Sequence, residues 1–243
     1  ASQAYRLPIH RHWYKATLSH NTVLVDRHSQ AGVSGALAFF AATETHAAVL
    51  TTCDDAYPGT RHQRLLLLTP DYLLVFDTLD SDAERRFDWL YHNRGLDAVC
   101  DAVTPSVMCS DTFRGSEYMA NIQEGETDDV IRIQFRNKDV TTHLTLAAEA
   151  KTAVLVGDGP GASVDDRVPL AIISRHGKQA HFAAVLEPVR ENQPPTITSV
   201  QVVACDGAVR LEVRQGDVMD TILLNGRDNM ELRRNDEIVL KAE

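Results

Sequence analysis

Three histidines, an asparagine and two basic side chains crowd into Leu7-Pro8-Ile9-His10-Arg11-His12-Trp13-Tyr14-Lys15-Ala16-Thr17-Leu18-Ser19-His20-Asn21-Thr22-Val23-Leu24-Val25-Asp26, with Gln30 just beyond. Imidazoles exchange protons near neutral pH, and cations beside them neutralise carboxylates. The pattern is therefore that of the rim of a site for something anionic. Arg6, Arg11, Lys15 and Arg27 lie among His10, His12, His20 and His28, and Asp26 is the only acid in the first thirty residues. His20 stands out, because it precedes a β-branched strand (Thr22, Val23, Val25) and sits among cations and amides. Its plain alternative is a histidine hydrogen-bonded at a strand end.

His10 and His12 are two apart, so on an extended segment they point the same way and can grip a metal or a carboxylate together. Such a pair also opens the cupin metal motif, but that motif wants a glutamate a few residues on, where Ala16 and Thr17 stand. Two solvated histidines before Trp13 are the bland reading. Asp26 is no metal partner for His20 if the strand between them is regular, since six residues at about 3.3 Å each span roughly 20 Å. Trp13 and Tyr14 can stack on a sugar ring or pack against another domain. Gly157-Asp158-Gly159-Pro160-Gly161 lacks the Lys-Ser/Thr pair of a phosphate loop and reads as a turn.

The same stretch resembles the "WY..T..HNTV.VD...Q" signature that opens the carboxyl-terminal β-domain of heparinase II/III-like polysaccharide lyases, with the oligoalginate-lyase branch the nearest. Phe87-Asp88-Trp89-Leu90-Tyr91-His92-Asn93 resembles that family's "DWLLH" strand, whose alternation sends Trp89 and Tyr91 to one face and Asp88, Leu90 and His92 to the other. The resemblance covers mainly residues 5 to 95. It implies that His20 faces the active cleft as a catalytic residue or binds zinc, with His62 as the second metal ligand. The family's third ligand is an aspartate between those two, and this chain has none between Asp26 and Asp54. It further implies substrate contacts from His10, Arg11, His12, Trp13, Tyr14, Asn21, Gln30 and His92. The principal base and acid, a tyrosine and a histidine or asparagine, come in that family from an α/α-toroid domain preceding the β-domain.

At 243 residues the chain can bury a large core without staples. Its formal charge of −10 argues against a nucleic-acid or anionic-membrane binder, so a polyanionic substrate must meet a local basic patch. Cys53, Cys100, Cys109 and Cys205 fit no metal or redox spacing and read as free thiols, which suits periplasm or cytoplasm. No apolar run approaches the eighteen or so residues of a membrane span. The chain begins Ala1-Ser2-Gln3 directly on the motif, which suggests a processed or excised piece of a longer protein.

The elements that must carry these residues are strands. Arg64–Leu68 and Tyr72–Asp77 read as buried strands joined by a proline turn, and Val130–Phe135 alternates between core and solvent. Leu170–Ser174, a His176-Gly177-Lys178 turn and His181–Leu186 read as a hairpin. Val200–Val203, Val209–Val213 and Thr221–Leu224 follow, with turns at Asp206-Gly207 and Gln215-Gly216, and a last hairpin turns at Asn235-Asp236. Helical periodicity is nearly absent. The expectation is one all-β domain over residues 1–243, an antiparallel multi-sheet sandwich with a minor seam near 192–195.

The expected function is the β-sandwich portion of a lyase cleaving a uronate polysaccharide of alginate or heparin/heparan type. Its partners would be the acidic polysaccharide and the preceding toroid, with zinc as a candidate cofactor. The isolated chain would catalyse little. A non-catalytic carbohydrate-binding or domain-packing sandwich is the competing class, and an autonomous metalloenzyme using His10, His12, His20 and His62 the third.

Overall fold

The computed structural model describes residues 5–105, 112–205, 208–226 and 228–242. In chain order the strands are β1 (Val23–Val25), β2 (Ala36–Ala42), β3 (Ala47–Tyr57), β4 (Thr60–Leu68), β5 (Leu73–His92) and β6 (Asp97–Cys100). Then come β7 (Thr104–Pro105), β8 (Ala120–Thr127), β9 (Ile131–Asn137), β10 (Val140–Leu146), β11 (Thr152–Pro160) and β12 (Arg167–Arg190). The chain ends with β13 (Ile197–Cys205), β14 (Ala208–Gln215), β15 (Val218–Asn225), β16 (Asn229–Arg234) and β17 (Glu237–Ala242). Every pairing between them is antiparallel.

Two long strands organise this chain. β5 and β12 run beside each other from Leu73↔Leu186 to His92↔Leu170, and each serves two half-sheets. Their lower halves carry β4, β3 and β2 on one side and β10, β9 and β6 on the other. Their upper halves carry β1 on one side and β11, β8 and β7 on the other. At the junction the register jumps from Gly177↔Arg85 to Gln179↔Asp80, leaving Ser81–Glu84 as extra residues on β5. Such a bulge bends the strand and flips side chains between faces on the strand that loses register. Accordingly Ala171 and Ile173 above the bend share a core with Phe182 and Ala184 below it.

This bulge corrects the expected hairpin at His176-Gly177-Lys178. The polar triplet is not a chain reversal but the place where a 24-residue strand crosses the bend. Likewise Tyr72–Asp77 and Phe87–Asn93 largely belong to one strand, β5.

Three cores result. The first lies between the folded halves of the large sheet and includes Val75, Phe87, Trp89, Ile133, Leu144 and Ile173. The second lies behind the lower half, where β13–β17 cover Leu65, Leu74, Phe76 and Val185 with Val200, Leu211, Ile222 and Leu232. Tyr72 Oη donates to Asp220 Oδ2 at 2.7 Å across that interface. The third lies behind the upper half, where the amino-terminal segment covers Leu90, Leu170 and Ile172 with Ile9, Trp13 and Leu18. Both faces of β5 and β12 are therefore buried, which is why their sequences read as unbroken apolar runs.

The small sheet follows the connection 191–196 and is a simple meander, β13 to β17 in order. Its turns at Gly216 (φ 55°) and at Asn235 and Asp236 (φ 48° and 69°) take the left-handed conformations that tight hairpins require. The Asp206-Gly207 turn and Cys109 lie outside the described residues. Cys53 and Cys100 are free thiols. Among the described residues no helix is long and apolar enough to cross a membrane.

Candidate functional site

The amino-terminal segment does not run extended. His10–Tyr14 form a π-helical turn and Thr17–Ser19 a 3₁₀ turn. His10 and His12 therefore do not share a direction, contrary to the extended-strand expectation. The His10 ring lies 4.6 Å from that of Tyr5, while His12 Nδ1 meets Glu117 Oε1 at 3.2 Å.

Helical winding also turns Trp13 inward. Its ring is only 1% exposed, and its Nε1 donates to the Pro160 carbonyl at 2.9 Å. A Cβ on Gly159 would overlap the indole, so glycine is what lets β11 pass this close. Trp13 thus packs in the third core and presents no face for a sugar, which corrects its expected stacking role. Tyr14 is half-buried, with its hydroxyl enclosed and unpartnered, and burial pushes its phenol upward.

His20 is exposed, as are Arg11 and Asn21. Its Nδ1 bonds the Ala16 carbonyl at 2.9 Å, an acceptor, so Nδ1 carries the proton and Nε2 is left to face other partners. Next to it, Asn21 clamps the end of β5. Its Oδ1 accepts from the His92 backbone N–H at 2.7 Å and lies 3.2 Å from His92 Nδ1, while its Nδ2 donates to the His92 carbonyl at 3.2 Å. The Asn21 amide thus holds the end of β5, while the residue itself stays exposed. Gln30 is similarly employed, its Nε2 donating to Thr22 Oγ1 and its backbone N–H to Thr17 Oγ1.

His92 packs edge-on to Trp13, and its Nε2 is enclosed without a partner. Burial, reinforced by the neighbouring His20, pushes its pKa down to about 4. At neutral pH it is an uncharged imidazole beside an exposed one. Trp89 and Tyr91 stack at 5.9 Å on the opposite face of β5, as the alternation of that strand requires.

Beneath this group lies an ion network that sequence reading missed. Asp77 is fully buried and accepts from His62 Nε2 at 2.6 Å, Arg64 Nε at 2.8 Å, Arg64 Nη2 at 2.9 Å and Trp89 Nε1 at 2.9 Å. Burial alone would raise its pKa, but Arg64 and His62 hold it well below the usual carboxylate range. Arg64 Nη1 also donates to the Asn21 carbonyl. Asp77 therefore joins the two folded halves of the sheet through Trp89 and anchors the Asn21 clamp through Arg64.

The same network answers the expected zinc. A zinc ion requires three or four donors turned to one point, and among the described residues no three His, Cys, Asp or Glu side chains do this. His62 spends Nε2 on Asp77, His20 spends Nδ1 on Ala16, and the cation beside the buried carboxylate is the Arg64 guanidinium. The donor set does not fit zinc at His20 and His62, and no chemistry below is routed through a metal.

Arg11 is exposed and joins Lys15, Arg27, His28 and Arg114 around a recess beside Ala16 and Leu18. Arg114 lies about ninety residues from the motif, so no local pattern could have linked it to the site.

A sandwich whose long strands end in a histidine-rich wall under a basic segment is the class of domain in hand. Residues 1–198 match the family described as heparinase II/III-like, C-terminal. The chain belongs to that family. Among solved structures it is similar to the heparan sulfate lyase HepC from Pedobacter heparinus, at 15% identity and a TM-score of 0.61 over 92% of this chain and 31% of that one. It is also similar to a heparinase III, at 13% identity and a TM-score of 0.61 over 91% of this chain and 32% of that one. The chain thus spans about a third of the length of these lyases, and at such identities the likeness speaks for the fold. No curated protein matches.

Proposed function

We propose that this chain is the β-sandwich part of a polysaccharide lyase that cleaves a uronate-containing polysaccharide, of alginate or heparin/heparan type, by β-elimination. In that reaction a base removes the C5 proton, the C–H electron pair becomes the C4–C5 double bond, and the C4–O4 bond breaks as O4 takes a proton. The carboxylate must be neutralised for C5 to lose its proton. His20 is the group for this wall: anchored through Nδ1, it offers Nε2 to accept a proton or, once protonated, to pair with the carboxylate. The Ala16 carbonyl positions it, Asn21 holds the neighbouring His92, and the principal base and acid belong to a preceding α/α-toroid domain.

The observation that carries this reading is the exposed, anchored His20 beside a neutral, enclosed His92, next to a basic recess. The test is ultraviolet absorbance of the unsaturated uronate product, with the complete protein acting on alginate, heparan sulfate and hyaluronan. His20→Ala should lower turnover by about 10²-fold or more, the size of a general acid–base or neutralising contribution. Unchanged turnover removes His20 from the site. Binding without product on any of the three polymers would favour the competing reading, a carbohydrate-binding sandwich, which the recess cations alone could support.

A further inference from the structure

The cations of the amino-terminal segment converge on a recess of about 600 Å³ lined by Arg11, Lys15, Leu18, Arg27, His28 and Arg114. One carboxylate, Asp26, also lines it, but that charge is already spent. Asp26 Oδ2 accepts from Arg85 Nη1 and Oδ1 from the Arg86 backbone N–H, each at 2.9 Å. Arg27 lies with its guanidinium 4.0 Å over the Phe113 ring and its Nε 3.6 Å from Asp88. Arg11, Lys15 and Arg114, by contrast, make no ion pair among the described residues. Three unpaired cations around one concavity repel each other, and an anion placed among them relieves that repulsion. In a chain of net charge −10, such a cluster is not explained by overall composition.

The backbone is bent to make this recess. Asp26 and Arg27 both adopt left-handed conformations, φ 49° and 62°, in a tight turn closed by His28 N–H donating to the Val25 carbonyl at 2.9 Å. Hairpin turns of this kind favour Asn-Gly or Asp-Gly, and a bulky residue is disfavoured in the left-handed region. Arginine stands where glycine would be relaxed, and the turn delivers Arg27 and His28 to the recess. Strain retained at one place in a fold is a pointer to a site when other observations converge on it.

We propose that this recess is a second anion subsite, which takes the carboxylate or sulfate of the sugar next to the one that reacts. The inference rests on the lyase reading and deepens it. Guanidinium groups hold such oxyanions through paired N–H donors, with lysine as a point charge beside them. The reacting sugar lies against His20, whose Nδ1 is anchored on Ala16, and Ala16 itself lines the recess. One stretch of backbone thus serves both places.

The test is calorimetric titration of the complete protein with an alginate tetrasaccharide and with a heparan sulfate tetrasaccharide, comparing the parent with Lys15→Ala/Arg114→Ala. Both side chains are exposed, so the double variant should fold. Affinity is expected to fall at least tenfold, the loss of one or two charge-assisted hydrogen bonds. A loss with the alginate ligand assigns the recess to a carboxylate, and a loss confined to the heparan sulfate ligand assigns it to a sulfate. Unchanged affinity for both ligands, with product still formed, overturns the subsite and leaves the lyase reading standing. A parent protein that neither binds nor cleaves either ligand overturns the lyase reading, and this inference falls with it.

Discussion

Replacing Asp77 by asparagine isolates the charge at the centre of the fold, because the two side chains have nearly the same volume and no cavity opens. The carboxylate accepts four hydrogen bonds, two of them from Arg64. An asparagine oxygen can keep some of these, but its amide NH₂ must face donors. The Trp89 indole N–H or the Arg64 fork is then left without an acceptor. Breaking one side of a buried ion pair costs about 3–5 kcal/mol. For a domain of this size that corresponds to a fall in Tm of roughly 6–20 °C. Urea unfolding should show the midpoint lowered with the slope unchanged. Because Arg64 also holds the Asn21 carbonyl, loosening it should free the clamp on β5, and the His92 pKa should rise from about 4 toward its ordinary 6.5. Combining Asp77→Asn with Arg64→Met should cost less than the sum of the two, since the second change removes the stranded charge. A loss below about 1 kcal/mol, the worth of one ordinary hydrogen bond, would refute the claim that this carboxylate ties the halves of the sheet together.

Two further outcomes can be checked on the same protein. His92 is neutral in the fold and titrates near 4 instead of 6.5, so the unfolded chain binds the extra proton first. Its contribution is intact above pH 6.5 and is lost as pH falls toward 4, amounting to roughly 3 kcal/mol. Unfolding curves across that range should fall more steeply for the parent than for His92→Gln, and equal slopes would sink the assignment. Gly159→Ala drives a methyl group into the Trp13 indole and Leu170, an overpacking that costs about 1–3 kcal/mol. Trp13 fluorescence should change with it, and a variant of parental stability and spectrum would show that the indole does not sit on β11.

Much of the fold can be read from local chemistry. The meander β13–β17 announces itself through Gly216 and Asn235-Asp236, and β4 and β5 through apolar runs on either side of Pro70. Reading fails at the bend. His176-Gly177-Lys178 has the composition of a turn, and nothing local distinguishes a reversal from a bulge within a strand that continues. Only the partner strand decides, because β5, itself 20 residues long, runs past the same point and also changes register there. The site divides in the same way. The structure brings His20, Asn21 and His92 together, yet the motif does not say that Asn21 holds His92 or that a single helical turn buries Trp13. Arg64 and Asp77 were within reach, since a hairpin pairing Leu68 with Leu73 puts those two directly opposite. A carboxylate facing an arginine inside an apolar hairpin is a buried pair. Arg114 and Phe113 were not within reach, because only the tertiary fold brings them to Arg27.

The distribution of these groups bears on why one wall would not suffice for elimination. His92, Asn21 and Gln30 are fastened to β5 or to the amino-terminal turns, and a site built on rigid elements holds its geometry well. That rigidity engages part of their polar groups. Asn21 bonds the His92 backbone through both Oδ1 and Nδ2, His92 keeps its Nε2 enclosed, and Gln30 donates inward to Thr22. Of the two imidazoles in this group, only His20 is exposed. One imidazole can neutralise a carboxylate or carry a proton, but elimination asks for a base, an acid and a neutraliser together. On the proposed reading the wall serves binding and charge compensation, and the recess cations would extend it along the polymer. If the complete protein is a lyase, His20→Ala should depress turnover while Lys15→Ala/Arg114→Ala weakens binding. That separation would be lost if the histidine wall and the basic recess served a single sugar.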